Sequence, residues 1–593
     1  MKGITVSKGV AIGKAYRLDS TKFCIIKHQV LDTDVEKEVG RFCQAIEKTK
    51  LQMDEIKKRA EKVADKYAVI LDTYSLLLDD DILINDTIEN IRKNKTNAEW
   101  SLTQTLNNFL KLFDNINDDY LKGKKDDLDL LVQTILKNLV GHSQEAMSDI
   151  HEPVIIATHS LSPSDTIMMP KNFVKGLVTE TGGKTSHVGI FAAALGIPAI
   201  TGVKEVTSKI NSGDQIIVDG IDGEVIISPS SKTIQQYEKK QANYRIYEEN
   251  LLTNIHQPAE TLDGYQVKLL ANIESNREIK TLHKFGVEGV GLYRTEFLYL
   301  AAASLPNERE LYENFKQVVQ EMGDQPVVIR TLDIGMDKQL LSDGKTNEEG
   351  NPALGLRGIR LSLAKPQLLA DQLKGILRAS LYGNVKILYP MISSATEIIQ
   401  ANKILEDTKN QLCKEQIPFN EKIEVGAMIE TPAAAICIDH ILNQVDYISI
   451  GTNDLIQYLL AVDRVNDSVA HLYQPFHPSV LRTLKNIMRS AENTDKKVSI
   501  CGELGGDPMA TMLLLGLGKI DALSMEPHSI PKVKKIIRAT RIQEAQKLAD
   551  DVLKMSCPDK VSSFITNEMR ARFPEDFDRN LSFEEKLNPS SNH

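Results

Sequence analysis

Eight short apolar runs succeed one another between residues 262 and 573, each separated from the next by a stretch of helical pattern. They are VKLLANI, GVGLYRTE, VVIRTLD, VKILYPMI, EVGAMIET, YISIGTND, SICGELGG and ALSMEP. Brief apolar runs bounded by turn residues read as buried strands, and the longer amphipathic stretches between them read as helices. Eight such pairs over roughly 300 residues predict a (β/α)8 barrel, whose chemistry sits at the C-terminal strand ends. Nearly every run closes on a polar or special residue there: Asn272, Arg294, Arg330 to Asp333, Glu430, Asn453 with Asp454, and Cys501 to Glu503. A barrel of purely structural use has no reason to place them so.

The chain has 593 residues, too many for one core, and the remainder has other textures. Residues 1–19 and 144–229 carry strand signals, including DQIIVDG and GEVIISP joined by an Asp222-Gly223 turn, and predict one α/β domain. Residues 20–143 recur at three and four and predict an inserted helical domain, with Asp32 or Thr33 as a first cap. A helical linker over 230–261 leads to the barrel at 262–573, and 574–593 read as a frayed tail. The expected class is therefore multidomain α/β: an α/β domain interrupted by a helical insertion, followed by a (β/α)8 TIM barrel.

A net charge of -10 argues against nucleic-acid or anionic-membrane partners. No run reaches the ~18 uninterrupted apolar residues of a spanning helix, and MKGITVSKGVAIGKAYRL is too polar for a secretion signal. Six scattered cysteines without a CxxC pair fit a reducing cytoplasm. The segment TGGKTSHVGIFAAALGIPAI places His187 behind a Gly182-Gly183 turn, in the first turn of a helix capped by Thr185 or Ser186. Free backbone N–H groups and the helix dipole favour phosphate at such a position. A lone histidine there is ordinarily a surface residue; His159, in THSLSPSD, is a candidate orienting partner.

GGKTSHVGI resembles the phosphohistidine signature of the Enzyme I family of the phosphoenolpyruvate-dependent sugar phosphotransferase system, and of its relatives pyruvate phosphate dikinase and phosphoenolpyruvate synthase. GLYRTEF and IGTNDLIQY match the family in the same order, and the resemblance runs from the first glycines to about residue 573. It implies that His187 carries the phosphoryl group on Nε2. It further implies that Arg294, Arg330 and Arg464 bind phosphoenolpyruvate with Asn453, that Arg357 contacts the phosphate, and that Cys501 protonates the enolate. Glu430 and Asp454 would hold Mg²⁺, with Asp454 also at the substrate; two carboxylates at neighbouring strand ends suit that cation. The planar arginine fork suits phosphate and carboxylate alike.

By the same resemblance the acceptor is a small histidine phosphocarrier of HPr type, docking on the insertion, and the barrel forms a homodimer. The two domains must meet and part during each cycle. Met336, Leu356 and Val465 depart from the family pattern around the site, and Tyr74, Gly123, Lys124 and Asp129 depart from it in the insertion. The insertion's departures leave open a regulatory phosphotransferase serving a variant carrier. A second alternative is a non-catalytic sensor of phosphoenolpyruvate. An ATP-using dikinase does not fit, because the sequence has no GxxxxGK[ST] loop and residues 20–143 are too short and too helical for a nucleotide-grasping domain.

Overall fold

The computed structural model describes residues 1–18, 27–60, 81–114, 132, 134–136, 138–140, 150–161, 169–170, 172–182, 192, 196–300, 305–335, 351–464, 466 and 468–577. His187, Tyr74, Gly123, Lys124, Asp129, Met336, Val465 and the tail beyond 577 lie outside these. The chain divides into two compact units, Met1–Tyr247 and Glu248–His593.

The first unit is built on seven strands: β1 (Ile4–Ser7), β2 (Val10–Leu18), β3 (Val154–Thr158), β4 (Val174–Thr179), β5 (Ala199–Thr201), β6 (Gln215–Asp219) and β7 (Glu224–Ile227). They lie in the order β1-β5-β4-β3-β2-β6-β7. The central pairs β2–β3, β3–β4 and β4–β5 are parallel, and β6–β7 is the antiparallel hairpin expected from its Asp222-Gly223 turn. Because side chains alternate along a strand, β3 serves both faces at once. Val154 and Ile156 join one core with Phe42, Ile91 and Leu102, from helices α1 (Val35–Ala60), α2 (Asp81–Asn94) and α3 (Ala98–Asp114). Ile155 and Ala157 join another with Val206 and Ile210. The helical insertion thus shares its core with one face of the sheet. Helix α1 begins at Val35, past both Asp32 and Thr33, and Asp32 pairs with Lys95 at 2.6 Å.

Helix α4 (Ser231–Thr253) follows with no buried residue. Its Lys240 pairs with the buried Asp219 and with Asp222, and Gln241 donates to the Val10 carbonyl at 2.6 Å, tying its first half to the sheet.

Each of the eight runs is a strand of the second unit: β8 (Lys268–Ile273), β9 (Val290–Tyr293), β10 (Val327–Arg330), β11 (Val385–Tyr389), β12 (Glu424–Ile429), β13 (Tyr447–Ile450), β14 (Lys497–Cys501) and β15 (Ala522–Met525). All neighbours are parallel and the sheet closes on itself. Between strands and helices runs one continuous apolar core. A separate layer, Leu292, Val328, Leu388, Met428, Tyr447 and Cys501, fills the barrel's interior. At the N-terminal strand ends an acid just before a strand grips its neighbour twice. Asp446 donates its N–H to the Val425 carbonyl and accepts the Val425 N–H at 2.8 Å; Asp521 does the same to Val498 and Glu288 to Leu269. These clamps satisfy backbone groups that the ladder leaves over at its start.

Candidate active site

At the opposite, C-terminal ends the strands deliver charge rather than clamps. Arg330 closes β10 and is almost fully buried. It pairs with Glu296 and with Asp333, each at 3.1 Å. Asp333 is gripped from the other side by the Arg357 fork, Nε to Oδ1 at 3.1 Å and a terminal nitrogen to Oδ2 at 2.9 Å. The same Arg357 nitrogen reaches Asp454 Oδ2 at 3.2 Å, and its other terminal nitrogen donates to the Tyr458 hydroxyl. Asp454 lies in the first turn of the helix Thr452–Leu460 that follows β13. Residues from two strand ends, those of β10 and β13 with the segments that follow them, thereby form one chain, Arg330–Asp333–Arg357–Asp454.

The loop carrying Arg357 is shaped by Gly358. Its φ of +56° suits glycine, and a Cβ there would lie 2.8 Å from Met391 Cβ. Tyr458 anchors the loop's start by donating to the Ala353 carbonyl at 2.5 Å.

Glu430 follows directly on β12 and is 2% exposed. Its Oε1 accepts the Met391 N–H at 2.5 Å, and a Cβ at position 451 would come within 2.7 Å of Oε2. Glycine at the end of β13 thus makes room for the carboxylate. Burial, together with the Asp333 and Asp454 carboxylates, pushes the Glu430 pKa up to about 8, with Arg330 opposing. Burial would also raise Asp333, but Arg330 and Arg357 outweigh it and hold that carboxyl below its ordinary range. Two environments of opposite sense within one cluster are a mark of functional carboxylates.

Cys501 ends β14, 3% exposed within the interior layer. The Ser449 hydroxyl donates to its sulfur at 2.9 Å, and burial pushes the thiol up to about 11, so it remains protonated at neutral pH. Arg294 pairs with Glu274 at 2.8 Å and is close enough for its charge to act on both Asp333 and Cys501. Arg464 is looser, 3.9 Å from both Asp454 and Glu503. Asn453 is turned toward Glu503, accepting its N–H at 2.8 Å and donating to its carboxylate at 3.2 Å. His187 lies outside the described residues. His159 binds Glu180 through Nδ1 at 2.6 Å. Glu274, Glu296 and Tyr458 were not singled out from sequence; the last two lie inside GLYRTEF and IGTNDLIQY, where an acid or phenol beside an arginine-bearing segment was the available signal.

Among the described residues no three His, Cys, Asp or Glu side chains are grouped to cage a metal by themselves. Glu430 and Asp454 are hard oxygen donors, as suits a small divalent cation that takes its other ligands from water and substrate. Arg330 Nε and Thr452 Oγ1 are buried without a hydrogen-bond partner, two polar atoms awaiting a polar ligand. The cluster defines a barrel enzyme for a small, multiply charged anion.

Comparison with known proteins agrees. Residues 248–542 match the PEP-binding domain of PEP-utilising enzymes, 2–124 their N-terminal domain and 150–223 their mobile domain. A phosphoenolpyruvate-protein phosphotransferase from Bacillus sp. (strain S) is 42% identical over 95% of this chain and 97% of its own. One from Bacillus subtilis (strain 168) is 40% identical over 95% and 99%. A solution structure of Enzyme I (nEIt) covers 41% of this chain and 99% of its own at 34% identity, with a TM-score of 0.37. The chain belongs to the phosphoenolpyruvate-protein phosphotransferase family, and is an enzyme of phosphoenolpyruvate-dependent phosphotransfer. No helix among the described residues is long and apolar enough to cross a membrane.

Proposed function

We propose that the protein transfers the phosphoryl group of phosphoenolpyruvate to His187 and from there to a histidine on a small phosphocarrier of HPr type, releasing pyruvate, as the first step of a cytoplasmic sugar phosphotransferase system. The observation that carries the reading is the convergence of Arg330, Asp333, Arg357, Asp454 and the buried Glu430 at one end of the barrel. Arg294, Arg330 and Arg464 hold the substrate's anionic groups with Asn453, and Arg357 holds the phosphate, each already oriented by a carboxylate or amide neighbour. Such preorganised charge is where catalysis of phosphoryl transfer chiefly comes from.

Glu430 and Asp454 would hold Mg²⁺, which when bound neutralises charge on the phosphoryl oxygens. The enol C–O–P bridge breaks at phosphorus as a P–N bond forms at His187. The Cys501 S–H then gives its proton to the methylene carbon of the pyruvate enolate, and the Ser449 hydroxyl stabilises the thiolate left behind. Solvent returns the proton to sulfur. A homodimer through the barrel completes the expectation from the family.

His187→Ala is expected to abolish labelling by radiolabelled phosphoenolpyruvate while phosphorus NMR still detects binding to the barrel. Undiminished labelling of that variant would overturn the assignment. Cys501→Ala is expected to label His187 but to incorporate deuterium from heavy water into pyruvate far more slowly.

A further inference from the structure

The barrel's N-terminal mouth, remote from the cluster above, opens into a cavity of about 610 Å³. That is the size of a small-molecule site. Its floor is apolar, with Leu270, Val328 and the ring of Tyr447 among the lining residues. Its walls carry four lysines, Lys268, Lys386, Lys422 and Lys497, and three acids, Glu288, Glu424 and Asp521.

The acids do not answer the lysines one for one. Asp521 and Glu288 spend an oxygen each on the backbone N–H groups of Val498 and Leu269. Glu424 pairs with Lys386, whose ammonium also sits 5.3 Å from the Tyr447 ring centre, while Lys497 acts on Glu424 only through its longer-range charge. Among the described residues no acid stands within ion-pair distance of Lys268, Lys422 or Lys497. Lys268 and Lys497 open β8 and β14, and both line the cavity. Four lysines against three acids leave the lining one positive charge in excess, and among the described residues three of the four ammonium groups are without an ion-pair partner, in a chain of net charge -10.

We propose that this mouth is a second binding site, for a small organic anion bearing two or more negative charges, either a dicarboxylate or a phosphorylated metabolite. The lysines take the anionic groups and the apolar floor takes the carbon skeleton. Lysine, a compact point charge on a flexible stem, suits ligands of varied shape better than a fixed arginine fork. The floor also gives such a ligand a route to the chemistry. Tyr447 belongs to the same interior layer as Met428 and Cys501, and Met428 Sδ lies 3.9 Å from an Arg330 nitrogen.

The test uses the full-length protein carrying Arg294→Ala and Arg330→Ala, so that the phosphoenolpyruvate site is disabled. Succinate, glucose 6-phosphate and inorganic phosphate are each titrated by calorimetry at low and high salt. We expect succinate or glucose 6-phosphate to bind one site per chain, more weakly in salt, and at least about tenfold more weakly after Lys268→Ala with Lys497→Ala. The two organic probes separate the dicarboxylate from the phosphate source. Absence of binding by both, binding of inorganic phosphate alone, or binding indifferent to the lysine substitutions would overturn the proposal. The lysine pair placed in the otherwise unaltered protein is expected to leave basal phosphotransfer unchanged. Loss of that activity with an intact fold would also count against a separate site.

Discussion

The two ends of this one barrel spend their carboxylates in opposite ways. At the N-terminal end Asp446, Asp521 and Glu288 sit on backbone N–H groups, each satisfying a strand. At the C-terminal end burial, together with the nearby carboxylates of Asp333 and Asp454, pushes Glu430 up to about 8. Stability alone would not select that placement, since like charges in a buried place oppose the ionised fold. The first arrangement holds the barrel; the second holds charge ready for a ligand. Removing a carboxylate should therefore cost different things at the two ends.

Glu430→Gln gives the largest effect. The amide oxygen can still accept the Met391 N–H, so the fold is kept, and the side chain can no longer ionise beside Asp333 and Asp454. Phosphotransfer should fall by about 10³-fold or more while the melting temperature holds or rises; parallel loss of both would place Glu430 with the structural acids. Arg357→Lys comes next, at about 10²-fold, because an ammonium cannot bridge both oxygens of Asp333 and reach Asp454 as well. Steady-state kinetics showing near-normal rates would remove Arg357 from the substrate's path.

The third expectation concerns pH. Glu430 has a folded pKa above its unfolded value near 4.5, so the protonated fold is the stable one. Its contribution is fully present below that unfolded value and is lost as pH rises through about 8. The metal-free melting temperature should fall across this window, and Glu430→Gln should flatten the slope. A cation bound through Glu430 must displace the proton, so apparent Mg²⁺ affinity should rise up to about tenfold per pH unit until the same pKa is passed. The smallest effect on activity belongs to the other end. Asp521→Ala leaves the Val498 N–H without its partner and should lower stability by about 1–3 kcal/mol, read by denaturant unfolding, with phosphotransfer near normal.

The barrel was legible because its strands are buried on both faces and keep that pattern whatever surrounds them, as VKILY and EVGAM show. Arg294, Arg330, Glu430 and Asp454 stand out as candidates because each falls at or just past the end of a run, which Arg357 and Arg464 do not. The partners of these side chains do not stand out. Asp333 reads in the sequence only as a strand-end residue, and nothing in sequence spacing says that Arg357, 24 positions on, bridges it to Asp454, 97 further. Likewise the shared core of α1 to α3 with β3 depends on which sheet face the insertion covers, a choice that helical periodicity does not encode. The N-terminal mouth escaped notice because lysines that open strands read as ordinary strand-start residues until the barrel closes and turns them toward one cavity.

Single-turnover transfer from radiolabelled phosphoenolpyruvate to the protein bears most directly on the C-terminal cluster as the reaction centre. Rates would be measured for the wild type with Mg²⁺, the wild type with chelator, Glu430→Gln and Asp454→Asn. The wild type with Mg²⁺ should label rapidly, and the other three should fall by at least about a hundredfold. Wild-type rates in either carboxylate variant would contradict the assignment of phosphoryl transfer to this end of the barrel.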